Sequence, residues 1–481
     1  MLSWELLLSS STYFIFLVAI FFLYWPLSEL GSRLKSAESR TPALAIILFA
    51  NLYFYARWDL LYLALIPAAA TCDFLFGLGL QFSTNQRMRK VLVTASILMN
   101  LGLLATFKYV PFFLQNWAHL TGTKAPAWHW SLPLSLSFYV FQALTYTIDL
   151  YRGDAKGTQS YLAHLTAVSF FPTILAGPIT RVTTLMEQFE KRRFLDPAEG
   201  GRALFLIGMG LTKKLLIADY LGANLVNRIF DFPNLYTGAE TLIAVYAYAL
   251  EIYCDFSGYT DIALGSAMLL GIKLPPNFNR PYAAESIADF WRRWHISLSN
   301  WLRDYLYFSL PGKRSKVAPY FNLILTMVIG GLWHGASWTF VVWGALHGVG
   351  LAAVRYVQTT WPAEKGAAIP LWWRYGRIVL TFHFVAFAWI FFRASSLENA
   401  MQMLSRIGSL TVSLANVSAP LALILTIAIV AHYVPKRWYD ASLSLFVRAP
   451  FYAQAIALVL LVIGLQNVLQ TGAAPFIYTR F

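Results

Sequence analysis

The sequence predicts an all-α polytopic membrane protein, and three observations carry that prediction. Hydrophobic residues make up 58% of the 481 positions and charged residues only 12%, about half the ~25% charge of an ordinary soluble domain. The aromatic count is high, with 36 Phe, 26 Tyr and 17 Trp. Several apolar stretches also approach the ~20 residues needed to cross a hydrocarbon core. A soluble enzyme, a disordered chain and a disulfide scaffold are excluded. The formal net charge is +14, which in a soluble chain would point to nucleic acid. Here the basic residues gather in short segments between apolar ones: Arg33, Lys35 and Arg40, then 87–90, 191–193 and 313–316. That distribution predicts positive-inside topology and contact with anionic phospholipid headgroups, with no nucleic-acid partner. Cys72 and Cys254 are the two cysteines; both lie in apolar surroundings, so neither a disulfide nor a thiolate metal site is expected.

The first span is read at 12–25. It opens after Glu5 rather than a basic region and lacks a small-residue cleavage site, so a retained span is expected. Spans at 42–55 and 60–80 follow, joined by a tight turn of Arg57, Trp58 and Asp59. Another covers 91–107 and continues to 113. Basic segments after the first and third spans put the N-terminus outside, in the periplasm of a Gram-negative cell, with the protein in the cytoplasmic (inner) membrane. The 132–150 segment is apolar, whereas 163–179 is interrupted by Pro172, Gly177 and Pro178. Broken backbone at that depth is tolerated only where protein or water satisfies it, so a re-entrant pair of helices is expected. Apolar segments at 203–218, 241–253 and 260–271 come next, the last two separated by YCDFSGYTD.

The rigid turn PPNFNRPY (275–282) leads into one amphipathic helix over 287–308. Trp291, Trp294, Leu298, Trp301 and Tyr305 form its apolar stripe, and Arg292, Arg293 and Arg303 lie off it. A hairpin or a long kinked helix is expected over 322–353, then spans at 378–392, 420–432 and 452–465. The total is about eleven crossings or re-entrant elements in one membrane-embedded domain, 1–481.

Among the histidines, His119 and His129 fit an interfacial aromatic girdle, and His164, His383 and His432 sit near span ends without a motif. His334 differs. It lies in IGGLWHGASW, after eight uncharged residues, 326–333. Loss of hydration there favours the neutral imidazole, whose lone pair suits a general base. Gly330, Gly331 and Gly335 permit close approach of backbone or substrate. His295 lies in FWRRWHISLSNWLRDY, one helical turn before Ser299 and beside Arg292 and Arg293, which suit phosphate on lipid or on an anionic carrier. The cluster around Asp255, Ser257, Tyr259 and Asp261 either lines a pore or bonds neighbouring helices. HExxH, GxSxG, Walker A and dinucleotide fingerprints do not occur, and no metal is expected.

Three segments, YCDFSGYTDIALGSAMLLGIKLPPNFNRPY, FWRRWHISLSNWLRDYLY and GGLWHGASWTFVVWGALHG, together resemble the membrane-bound O-acyltransferase family. The similarity is to its alginate O-acetyltransferase branch, which includes peptidoglycan O-acetylating and teichoic acid D-alanylating membrane proteins. The close match covers 253–348, the expected motif-bearing catalytic core. The resemblance implies helices around a central funnel and an acyl group taken from a cytoplasmic thioester, acetyl-CoA or another, with no permanently bound cofactor. It implies delivery to an extracytoplasmic polysaccharide through a periplasmic or membrane-tethered SGNH, esterase-like partner within a polysaccharide biosynthesis complex. It makes His334 the catalytic base, with His295 orienting the donor or sharing the proton. Ser299, Asn322, His347, Asp255 and Asp261 become supporting residues, and Arg292, Arg293, Trp291 and Trp294 donor-binding ones. Tyr478, in the tail APFIYTRF, resembles a proposed acyl relay; without the family it reads as an interfacial anchor. A transporter or flippase for an acyl carrier or a lipid-linked sugar is the competing function, and it would need no base at His334.

Overall fold

The structure, a computed structural model, describes residues 8–33, 41–56, 63–128, 132–133, 135–174, 177–191, 194, 196–312, 315–362 and 370–468. The turn at Arg57, Trp58 and Asp59, His129, residues 34–40 of the first basic segment, residues 192–193 and 313–314, and the tail bearing Tyr478 lie outside them. The described residues are helical with no strand. Five helices are long and apolar enough to cross a membrane: Ser11–Glu29, Leu65–Phe82, Gln86–Thr121, Trp338–Thr360 and Leu371–Arg393. A sixth arises if Ala419–Tyr433 and Lys436–Arg448, bent by 95°, count as one span. The chain is an all-α, multi-pass membrane protein.

The chain divides into two compact units. The first comprises 1–207 and 259–275, the second 208–258 and 276–481. In the first unit the expected break near Pro172 is present: the Tyr161–Val168 helix stops and a single turn, Phe171–Ile174, follows. Protein satisfies the broken backbone. Asn51 donates to the Thr166 carbonyl (3.1 Å) and accepts from the Phe171 amide (2.9 Å). Asp73, fully buried, accepts from Ser96 (2.6 Å) and Asn100 (2.9 Å), so a carboxylate in a spanning helix is met by donors from the next one. Arg89, in the basic 87–90 segment, donates to the carbonyls of Leu150 and Tyr151 (3.0 and 3.1 Å), closing the end of the Leu136–Arg152 helix.

Two expectations are corrected. The 241–253 and 260–271 segments belong to one helix, Gly238–Leu269, which runs straight through YCDFSGYTD. The polar cluster does not interrupt it, because Asp255 is paired with Lys214 rather than solvated. Conversely, 287–308 is not one helix. It is Ile287–Trp291, a turn, Ile296–Trp301 and a wider π turn, Leu302–Leu306. The ladder breaks at His295, whose backbone is left-handed (φ 42°, ψ 55°). Residues 318–360 form a hairpin, Ala318–His334 against Trp338–Thr360, which is one of the two arrangements expected for 322–353.

Candidate functional site

The second unit builds its centre from three sequence motifs. His334 is the last residue of the Ala318–His334 helix and is 3% exposed. Its imidazole meets Trp343 edge to face at 5.2 Å and Phe392 at 5.1 Å. Gly331 beside it, and Gly344 and Gly348 on the facing helix, serve backbone contact within the hairpin, whereas Gly335 makes room for the Phe340 ring. A β-carbon on Gly331 would strike the Phe340 carbonyl, one on Gly344 would lie 2.9 Å from Val328 Cα, and one on Gly348 2.6 Å from Ile324 Cα. Of the two uses expected for the glycines near His334, close approach of backbone is the one Gly331 fulfils.

His295 is fully buried. Its ring packs edge-on against Phe256 at 4.6 Å and lies 6.1 Å from Trp333, the neighbour of His334. The left-handed backbone is held from both sides by the PPNFNRPY turn. The Ile296 amide donates to the Asn277 carbonyl (3.0 Å), and the Asn279 amide to the Arg293 carbonyl (2.9 Å). Asn277 Oδ1 also accepts from the Ser297 amide (3.1 Å) and hydroxyl (2.9 Å). A non-glycine residue in this region costs about 1–3 kcal/mol and persists only when its surroundings over-determine it. These bonds supply that determination.

His347 is also fully buried. Its Nδ1 accepts from the Trp291 indole N–H at 3.3 Å, which leaves the ring proton on Nε2. Trp343 bridges His334 and His347, at 5.2 and 4.9 Å, and stacks on Trp389 at 5.8 Å. The three histidines therefore share one aromatic surround in which Trp343, Trp389, Phe392 and Phe256 were not singled out in the sequence. Their signal was present only as apolar periodicity, which does not distinguish pocket wall from core.

The remaining candidates divide. Trp291 and Trp294 are buried, at 7% and 1% exposure, and face this surround. Arg292 and Arg293 lie outside it, 69% and 30% exposed, and both bind Asp289. The Glu285 amide donates to Asp289 (3.2 Å), and the Glu285 carboxylate holds Arg374 at 2.8 Å and Arg377 at 3.6 Å. Four arginines and two carboxylates thus form one patch with a net positive charge, and Arg374 and Arg377 were missed because they lie about 80 residues away. Burial pushes the Asp289 carboxyl up, but the Arg293 hydrogen bond, the Glu285 amide and the two guanidinium charges outweigh it and hold the group below its ordinary value.

Ser299 donates its hydroxyl to the Trp294 carbonyl (3.2 Å), and Asn322 donates to the Pro311 carbonyl (3.0 Å). Both fasten local backbone. Asp255 pairs with Lys214, while Asp261 belongs to the other unit. Tyr478 lies outside the described residues. Neither Cys72 nor Cys254 is joined in a disulfide, and among the described residues no three His, Cys, Asp or Glu side chains gather around a possible metal position.

Sequence comparison decides the family. The membrane-bound O-acyltransferase profile matches residues 6–380, which include all three histidine-bearing and turn motifs. The chain belongs to the membrane-bound O-acyltransferase family. It is 39% identical over 393 residues to a probable alginate O-acetylase of Azotobacter vinelandii, covering 79% of this chain and 75% of that one. It is 34% identical over 428 residues to a peptidoglycan O-acetyltransferase of Helicobacter pylori, covering 82% and 80%. A teichoic acid D-alanyltransferase of Bacillus subtilis is 30% identical over 275 residues, 54% and 68% of the two chains. As a member of this family, the protein is an O-acyltransferase.

Proposed function

We propose that this O-acyltransferase works in the cytoplasmic membrane, with its N-terminus outside and about eleven crossing or re-entrant helices around a central funnel. It takes an acyl group, acetyl by its likeness to the alginate and peptidoglycan enzymes, from a cytoplasmic thioester such as acetyl-CoA. The group is delivered for O-acylation of an extracytoplasmic polysaccharide through an SGNH, esterase-like partner of the polysaccharide biosynthesis complex.

In this reading the neutral His334 imidazole removes the proton of the acceptor hydroxyl. The oxygen attacks the thioester carbonyl, the tetrahedral intermediate collapses, and the thiolate leaves with the proton from His334. His295, held rigidly by the PPNFNRPY turn, orients the donor carbonyl. The patch of Arg292, Arg293, Arg374 and Arg377 attracts the carrier's phosphates, and the Trp291–His347 hydrogen bond fixes the aromatic wall. The observation that carries the reading is His334 buried at a helix end among Trp343, Phe392 and Phe340, where water is scarce and an ionisable side chain within a membrane protein marks a functional site by default. The test is His334→Ala in cells with matched protein levels. Loss of glycan O-acylation with normal membrane insertion is expected; near-normal acylation removes His334 from the base role.

A further inference from the structure

Lys214 is almost wholly buried, at 1% exposure. It sits where the Pro197–Leu211 helix widens into a π turn, Thr212–Asp219, a local geometry that concentrates at functional sites. Its ammonium lies 2.6 Å from Asp255 Oδ1 and 2.7 Å from Asp219 Oδ1, and those carboxylates are 1% and 8% exposed. Three residues beyond Asp255, a β-carbon on Gly258 would lie 2.7 Å from the Gly210 carbonyl. The two helical segments therefore touch backbone to backbone beside the ion group.

A buried ion group is poor evidence for stability, because desolvation offsets most of its Coulomb attraction and apolar residues of similar volume often serve as well. What it does supply is direction, since only one rotation of the Gly238–Leu269 helix brings Asp255 onto Lys214. The next residue, Phe256, is then aimed at His295, with ring centroids 4.6 Å apart, and at Phe278 of the PPNFNRPY turn, 5.0 Å away. Phe256 is fully buried between them.

We infer that Lys214 is a positioning residue for the acyl-transfer reaction: through Asp255 it fixes the helix turn that presents Phe256 to His295, and so sets the orientation of that imidazole. The inference rests on the reading of His295 as the residue that orients the donor. It gives the YCDFSG motif a role in transfer beyond joining helices.

The experiment uses the full chain in lipid nanodiscs with isotope-labelled histidine. Its variants are Lys214→Met, Phe256→Leu, the two together, and a neutral combination of Lys214→Met with Asp219→Asn and Asp255→Asn. The last removes all three charges, so that no buried charge is left unpaired. The His295 ring resonance, assigned by its loss in His295→Gln, should move in Lys214→Met and in the neutral combination, while that of exposed His119 stays. With acetyl-CoA as the donor probe, kcat should fall about tenfold, as expected for a displaced orienting group, with KM within about twofold. Lys214→Met should add little to Phe256→Leu, because both act on one contact. An unmoved His295 resonance, or effects on kcat that multiply, would overturn the inference. So would loss of the neutral combination from the membrane, which would make the triad a requirement of folding alone. A moved resonance with unchanged kcat would leave the positioning intact and refute the role given to His295.

Discussion

The side-chain oxygen of Asn277 accepts two hydrogen bonds from Ser297, one from its amide at 3.1 Å and one from its hydroxyl at 2.9 Å. This pairing clamps the residue that follows the left-handed His295 by two positions, so a turn 20 residues earlier in the chain becomes part of the WHIS motif's backbone geometry. Asn277→Leu keeps the volume and removes both bonds. It should lower stability by about 2–3 kcal/mol, since each bond contributes about 1 kcal/mol and the Ser297 groups are left buried. Acyl transfer should fall more steeply than protein abundance. Thermal unfolding in detergent beside an O-acylation assay at matched protein level checks both; wild-type activity would detach the clamp from the chemistry.

Trp291 tests where the donor meets the protein. Trp291→Phe keeps an aromatic ring and deletes the N–H that His347 accepts. A several-fold fall in kcat with unchanged KM for acetyl-CoA is expected, because the indole faces His347. A raised KM with intact kcat would return Trp291 to direct donor binding.

The arginine patch makes the opposite prediction. Replacing Arg292 and Arg374, the two most exposed members, with Gln should raise KM for the donor several-fold and leave kcat near normal, and added salt should mimic the change in the parent protein. Steady-state kinetics across a salt series is the measurement, and a salt-independent KM would exclude the patch from donor capture.

Asp289 gives that patch a pH dependence. Its carboxyl is held below the ordinary value in the folded protein, so its contribution is present above the unfolded value of about 4. It is lost only as the pH falls through the lower folded value. Asp289→Asn should therefore cost stability at neutral pH and flatten the acid-side loss of stability. Unfolding midpoints between neutral and acid pH would show this; parallel curves for parent and variant would mean that the Asp289 carboxylate does not stabilise the arginine patch.

Tyr478 separates relay from anchor. Tyr478→Phe retains an interfacial ring and removes the nucleophilic oxygen. Normal abundance with loss of glycan acylation, and an acyl adduct on the C-terminal peptide of the active parent, are expected. Full activity in the variant would leave the tail an anchor.

Most of the helices were legible in the sequence because a hydrocarbon solvent imposes long apolar runs, whereas the choice between a hairpin and a long kinked helix over 322–353 was left to packing. The continuity of Gly238–Leu269 was not legible. Asp255 reads as a break until its partner Lys214 is known, and that partner is 41 residues distant. The reverse error arose at 287–308, where Trp291, Trp294, Leu298, Trp301 and Tyr305 keep helical spacing across a residue that is not helical. Periodicity reports which side chains want burial and is blind to a backbone bent by Asn277. His334, His295 and His347 were identified individually from the motifs. That Trp343 joins His334 to His347, and Trp333 joins His334 to His295, depended on packing among helices, which no spacing encodes.

The glycine seam of the hairpin has a consequence for timing. With Gly344 and Gly348 bringing two backbones to within one absent β-carbon of each other, the Ala318–His334 and Trp338–Thr360 helices are interlocked, and neither can slide along the other without backbone clashes. The imidazole at the end of the first is then confined to a change of rotamer within its aromatic surround. Any larger motion that limits turnover must therefore come from elements that bring donor and acceptor to His334, and it belongs to the traffic of substrates and not to the base.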